Sequence, residues 1–112
     1  MFRADDYVKV ESLGEAYELC KKRSSLVIGG MVWMKMTNVT KRTIVDLSGL
    51  GLDGIEETED AFSIGCMCTL RQLETHEGLN RYFGGIFKEC TRHIVGVQMR
   101  NCATVGGSVW GR

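Results

Sequence analysis

Apolar residues recur at helical spacing over Leu13, Ala16, Tyr17 and Cys20, the signature of one helical face. Ser12 precedes that face and Glu15 stands three residues on, the arrangement of a capping box, in which the serine oxygen accepts an amide hydrogen bond and the glutamate reaches back. The pattern predicts a helix that ends at Lys21-Lys22-Arg23, where positive charge suits the helix dipole. The period then changes. Ser25-Leu26-Val27-Ile28 is a short apolar run that stops at Gly29-Gly30, and Thr43-Ile44-Val45-Asp46-Leu47 is a second. Both read as buried strands of a parallel or mixed sheet. With a helix before each strand, the first half of the chain is predicted to form a small α/β unit.

From Gly49 to Gly54 glycine punctuates the chain, and Ile55-Glu56-Glu57 and Phe62-Ser63-Ile64 flank an acidic turn at Glu59-Asp60. That spacing predicts a β-hairpin and places a boundary between a first lobe, residues 1–53, and a second, residues 54–112. Thr69-Leu70-Arg71-Gln72 is another capping box and opens a short helix. Leu79, Tyr82, Phe83, Ile86, Phe87 and Cys90 then form an apolar stripe at helical spacing, read as core. Gly84-Gly85 inside the stripe costs about 1 kcal/mol per glycine relative to alanine, so a kink or a close backbone approach is expected there. The final stretch, Val105 to Arg112, reads as a strand or loop that stops before the element it leads into. The predicted fold class is α+β.

Fourteen basic and fourteen acidic residues give no net charge and no long block of one sign, which disfavours nucleic acid as a partner. No run approaches the roughly 20 apolar residues of a membrane span, and the N-terminus lacks the apolar core of a secretory signal, so a cytoplasmic protein is expected. Five cysteines at irregular spacing fit reduced thiols. Cys66-Met67-Cys68 has no second Cys or His pair at zinc-like spacing and reads as packing, with both thiols on one side of a strand. No sequence feature places His76 or His93 beside a thiol, so no cysteine nucleophile and no catalytic residue is assigned.

The chemistry-bearing features are two glycine pairs. Gly29-Gly30 follows a strand and lets a bulky anion approach the amides of Met31, Val32 and Trp33; a helix starting there would favour phosphate further. Gly106-Gly107 lies between Thr104 and Ser108, whose hydroxyls could donate to phosphate or ribose. Two such loops brought together would surround a pyrophosphate with neutral donors. Arg100 and Asn101 precede the second loop and either contact phosphate or brace the loop from behind. No G-x-G-x-x-G follows a strand, which disfavours a Rossmann site.

Four collinear blocks, Leu26 to Met36, Ile44 to Ser48, Ile64 to Leu70 and Val97 to Ser108, resemble the FAD-binding subunit of the molybdenum hydroxylases, of xanthine dehydrogenase and carbon monoxide dehydrogenase type. Arg100-Asn101-Cys102-Ala103-Thr104-Val105-Gly106-Gly107 is the most specific of them. The resemblance implies a non-Rossmann, two-lobed FAD domain: a small α/β lobe, then an antiparallel-sheet lobe with helices. By matching position, Gly29, Gly30, Met31, Val32 and Trp33 would form one pyrophosphate loop, and Ala103, Thr104, Gly106, Gly107 and Ser108 the other.

The resemblance further implies an oxidoreductase subunit that passes electrons from iron-sulfur centres through FAD to NAD or another acceptor. Its partners would be a molybdopterin-binding large subunit and a 2Fe-2S small subunit. Two departures stand out: Met31 and Val32 occupy positions that are usually small or hydroxyl-bearing, and Ser108 stands where asparagine is common. Backbone amide contacts would survive both. Family members continue well beyond 112 residues, so the chain is expected to be an N-terminal fragment of a separate subunit, left by trypsin-like cleavage after Arg112, a deliberate truncation or a premature stop. Such a fragment is expected neither to turn over nor to bind FAD tightly alone; a noncatalytic interaction module without flavin is the competing reading.

Overall fold

The computed structural model describes residues 1–111. Strand β3 (Thr40–Asp46) is the centre of a three-stranded parallel sheet, flanked by β1 (Arg3–Lys9) and β2 (Ser25–Ile28). Its β-branched run Thr43-Ile44-Val45 explains the central place, because such side chains pack well on a pleated surface paired on both edges. Val45 is fully buried and forms a core with Val10 and Ala16, the last carried on helix α1 (Leu13–Cys20). The Ser12 hydroxyl accepts from the Glu15 amide at 3.1 Å, while the Glu15 carboxylate accepts from the amide of Glu11 at 2.9 Å. The reciprocal bond of the expected capping box thus falls one residue early.

Two sequence expectations fail in this half. Strand β1 escapes a hydrophobicity reading because it is an edge strand with exposed Arg3, Asp5, Asp6, Tyr7 and Lys9. Only the alternation of Ala4, Val8 and Val10 betrays it. Second, no α-helix precedes β3: the chain between β2 and β3 holds only a 3-10 turn at Met34–Met36. Residues 29–33 have left-handed backbone at Met31, φ 60°, which interrupts helical geometry.

Strands β4 (Ile55–Glu57) and β5 (Phe62–Ile64) form the antiparallel hairpin read from the sequence. It packs on a second core of Leu70, Leu73 and Leu79. Helix α2 (Leu70–Thr75) opens with the full capping box, Gln72 amide to Thr69 hydroxyl at 3.1 Å and Thr69 amide to Gln72 side chain at 2.8 Å. The apolar stripe beyond it does not make one helix. Helix α3 (Glu77–Tyr82) stops and α4 (Ile86–Thr91) begins across Gly84 and Gly85, both at positive φ, 66° and 81°. Asn80 holds this break: its amide nitrogen donates to the carbonyls of Leu73, Glu74 and His76, and its oxygen accepts from the Lys88 amide.

The reorientation changes which stripe residues are core. Leu79 is buried and Phe87 half-buried, whereas Tyr82 is 77% exposed and Phe83, Ile86 and Cys90 are exposed. The stripe is therefore core only in part. Cys66 and Cys68 lie in a turn and not in a strand, with Cys66 exposed and Cys68 buried, its thiol donating to the Gly54 carbonyl at 3.1 Å. After α5 (Val97–Arg100), the last described segment is helix α6 (Val105–Gly111), not the expected strand or loop; Arg112 lies outside the described residues.

Leu79→Ala removes a side chain at the centre of the second core and is expected to lower stability by about 3 kcal/mol, read as an earlier urea midpoint. Val95 is a β-branched residue held at φ 52°. Val95→Gly relieves that strain and is expected to raise stability by about 1 kcal/mol, measured the same way.

Candidate functional site, the cleft between two glycine loops

Strand β2 delivers the chain to Gly29-Gly30, and the segment entering α6 meets it there. A Cβ on Gly29 would collide with the Thr104 hydroxyl, and one on Gly30 with the Cys102 carbonyl. Both glycines are required by close approach of one loop to the other. The second loop is packed less tightly: a Cβ on Gly106 would stand 2.8 Å from the Cys66 carbonyl oxygen, and one on Gly107 2.9 Å from the hydroxyl of Thr104 in its own loop.

Nine of the ten residues singled out from the sequence line one cleft. From the first loop come Gly29, Gly30, Met31, Val32 and Trp33; from the second come Ala103, Thr104, Gly107 and Ser108. Gly106 lines the adjoining pocket with Cys66 and Met67. Sequence reasoning missed Met34 and Trp110, which also line the cleft; Trp110 shares it because the segment beyond Gly107 is a helix. No Lys, Arg, Asp or Glu is among the described lining residues.

The two loops differ in what they offer. Among the described residues, the amides of Gly29, Gly30, Met31, Val32 and Trp33 find no protein acceptor, leaving a run of consecutive donors. Successive free amides around a left-handed residue form a concavity suited to an anion. Most of the second loop's donors are already used, although the Thr104 amide and the Thr104 hydroxyl hydrogen meet no acceptor among the described residues. Val105 and Gly106 donate to the carbonyls of Cys68 and Cys66, both at 2.8 Å, and Gly107 donates to the Thr104 hydroxyl at 3.1 Å. The Ser108 hydroxyl donates back to the Thr104 carbonyl at 2.8 Å. Thr104 therefore caps α6 as an acceptor and keeps its own O–H available, while Ser108, inside α6, spends its hydroxyl on the Thr104 carbonyl, which modifies for Ser108 the expectation of a hydroxyl facing a ligand.

Arg100 resolves in favour of bracing. It is buried, its Nε donates to the Glu74 carboxylate at 2.9 Å, and its Nη1 donates to the Ile94 carbonyl at 3.0 Å. Arg71 reaches the same carboxylate at 3.0 Å. Burial alone would raise the Glu74 carboxyl, but the hydrogen bonds and charges of the two arginines outweigh it and hold it below its ordinary value. The resulting bridge ties α5, just ahead of the second loop, to α2.

On the sheet side, burial would likewise raise Asp46, yet the Tyr7 hydroxyl and the Ser48 amide and hydroxyl donate to it and hold it low. The Tyr7 hydroxyl is raised in turn by donating to that carboxylate. Among the described residues no group of His, Cys, Asp or Glu is placed to hold a metal, and no helix is long and apolar enough to cross a membrane.

Over residues 1–112 the chain matches the family described as the FAD binding domain in molybdopterin dehydrogenase. The chain belongs to that family. Solved structures carry the fold of this FAD-binding domain. Cu,Mo-CO dehydrogenase in a cyanide-inactivated form superposes at TM-score 0.85 with 24% identity over 96% of this chain and 40% of that one. Quinoline 2-oxidoreductase from Pseudomonas putida 86 gives TM-score 0.78 with 24% identity over 96% and 38%. Reconstituted CO dehydrogenase from Oligotropha carboxidovorans gives TM-score 0.74 with 26% identity over 95% and 37%. The chain thus spans about 40% of the length of the solved chains it matches. A comparison with curated proteins found no match.

FAD is the cofactor of this family, and the run of free amides on the first loop fits its pyrophosphate without any basic side chain. Gly30→Ala drives a methyl group into the Cys102 carbonyl and is expected to cost about 2 kcal/mol of stability, read by denaturant titration. The two arginines hold the Glu74 carboxyl below its ordinary value, so its stabilising contribution is present at neutral pH and is lost as pH falls through that lowered pKa. Glu74→Gln is expected to be less stable at pH 7, with the difference from the parent chain narrowing in melts at acid pH.

Proposed function

We propose that this chain is the pyrophosphate-holding part of an FAD-dependent electron-transfer subunit in a xanthine dehydrogenase-like molybdenum hydroxylase. The observation that carries the reading is the first loop's run of unpaired amides, brought against the second loop in one cleft. Gly29, Gly30, Met31, Val32 and Trp33 present the donors; Ala103, Thr104, Gly106, Gly107 and Ser108 set the width and wall of the cleft. The cleft lies at the junction of two lobes, residues 1–53 and 54–112. FAD, when bound, supplies the redox chemistry, and the chain's own residues bind and orient it.

In this reading the subunit accepts electrons from a 2Fe-2S subunit, which receives them from a molybdopterin-binding subunit, and delivers them to NAD or another acceptor in the cytoplasm. Cu,Mo-CO dehydrogenase and quinoline 2-oxidoreductase share this fold, and the family is that of molybdopterin dehydrogenases, which supports the family-level part of the reading. The isolated chain is expected to bind flavin nucleotide without turning over. The second loop, whose Val105, Gly106 and Gly107 amides are spent internally, favours a weaker site than two full donor loops would give and keeps the noncatalytic interaction module in view.

Titration of the chain with FAD, followed by flavin fluorescence, separates the two. Saturable binding that ADP or inorganic pyrophosphate competes away is expected. Absence of binding for all three would replace the flavoprotein reading with the interaction module.

A further inference from the structure

Two tryptophans stand at the mouth of the cleft. Trp33 is 67% exposed and Trp110 is 72% exposed, and they are the chain's only tryptophans. A tryptophan left in water forfeits one of the largest apolar burials available to a side chain. Both nevertheless line the cleft and also the apolar pocket that continues from it, beside Met34 and Met99. The aromatic pairs recorded among the described residues all lie elsewhere, around Phe62, His76, Tyr82, Phe83 and Phe87, so neither indole has a ring partner of its own.

The positions follow from the fold. Trp33 comes directly after the free amides and precedes the 3-10 turn, while Trp110 lies on α6, whose start is fixed by the Thr104 cap. A pyrophosphate on the Gly29-Gly30 loop would carry its substituents out past both indoles. The pocket there presents no charged side chain among its described lining, and Met34 and Met99 are flexible side chains that adapt to a flat apolar surface.

We propose that Trp33 and Trp110 wall a slot that takes a planar aromatic ring of the dinucleotide whose pyrophosphate the first loop holds. The inference rests on the flavin-nucleotide reading and adds the residues that grip the ring. Both rings of FAD, adenine and isoalloxazine, have the required chemistry, and smaller probes separate them. The slot supplies stacking; the loop supplies charge neutralisation, so the two contributions are experimentally separable.

The test is a set of equilibrium titrations of the full chain and its variants with FAD, ADP, FMN and inorganic pyrophosphate. Trp33→Ala and Trp110→Ala are each expected to weaken FAD about tenfold, with Trp33→Phe close to the parent chain, because a phenyl ring still stacks. Pyrophosphate affinity is expected to stay unchanged in the Trp110 variants, which alter no donor of the first loop, and far-UV circular dichroism establishes that every variant folds. In Trp110→Phe the remaining emission of Trp33 is expected to be quenched by FAD, and in Trp33→Phe that of Trp110. Selective weakening of ADP assigns the slot to adenine, and selective weakening of FMN assigns it to the flavin; each supports the slot. If the alanine variants bind FAD like the parent chain, the slot is refuted while the proposed function stands. If Trp33→Ala loses pyrophosphate as well, the indole supports the loop and not a ring, and the slot is again refuted. If the parent chain binds none of the four, the slot and the proposed function fall together.

Discussion

Three backbone hydrogen bonds fix the second glycine loop and, through it, the cleft. Leu70 donates to the Ala103 carbonyl at 2.9 Å, and Val105 and Gly106 donate to Cys68 and Cys66 at 2.8 Å. This antiparallel stitch, centred on the Thr69 to Thr104 bridge, carries the α6 entrance to the turn before α2. It costs the loop the free amides of Val105 and Gly106 but gives it a fixed place. The Glu74 to Arg100 pair, buried on both sides, holds the same two segments together one helix further back. With the second loop immobilised, Gly29 and Gly30 can be packed to within a missing methyl group of Thr104 and Cys102, and the first loop inherits its position from that contact.

The division of labour that results is physical. One loop is a wall and the other is a donor surface. A neutral donor surface suits a chain with no net charge, since a pyrophosphate can be held by amide dipoles around a left-handed residue without importing lysine or arginine. Met31 and Val32 can occupy that surface because the loop offers backbone amides and not side-chain chemistry. Met31 accepts an unfavourable φ to do so, and backbone strain at a ligand-facing position is where such strain tends to persist.

Sequence patterning was informative wherever a local rule operates alone. The Thr69 and Gln72 box, the β4-β5 hairpin and strands β2 and β3 all follow from spacing that no distant residue alters. It misled where tertiary partners decide. Strand β1 is polar because it is an edge, and only pairing with β3 makes it a strand. The Leu79 to Cys90 stripe has helical spacing, yet Gly84 and Gly85 with the Asn80 side chain split it and turn Tyr82 and Phe83 outward. The glycine-rich end of the chain was read as loop because Gly106 and Gly107 depress helix propensity; the Thr104 cap and the stitch to residues 66–68 overcome that cost. For the site, the sequence singled out ten residues, nine of which the fold gathers in one cleft, but not that the first loop keeps a run of free amides while the second spends those of Val105, Gly106 and Gly107.

The account stands on the first loop being the one that meets the anion. An amide-resolved NMR titration of the chain with inorganic pyrophosphate measures this directly. Saturable shifts at the amides of Gly29, Gly30, Met31, Val32 and Trp33, with Val105, Gly106 and Gly107 little moved, are the expected result. Shifts confined to Val105 through Gly107, or none at any of these amides, would contradict it.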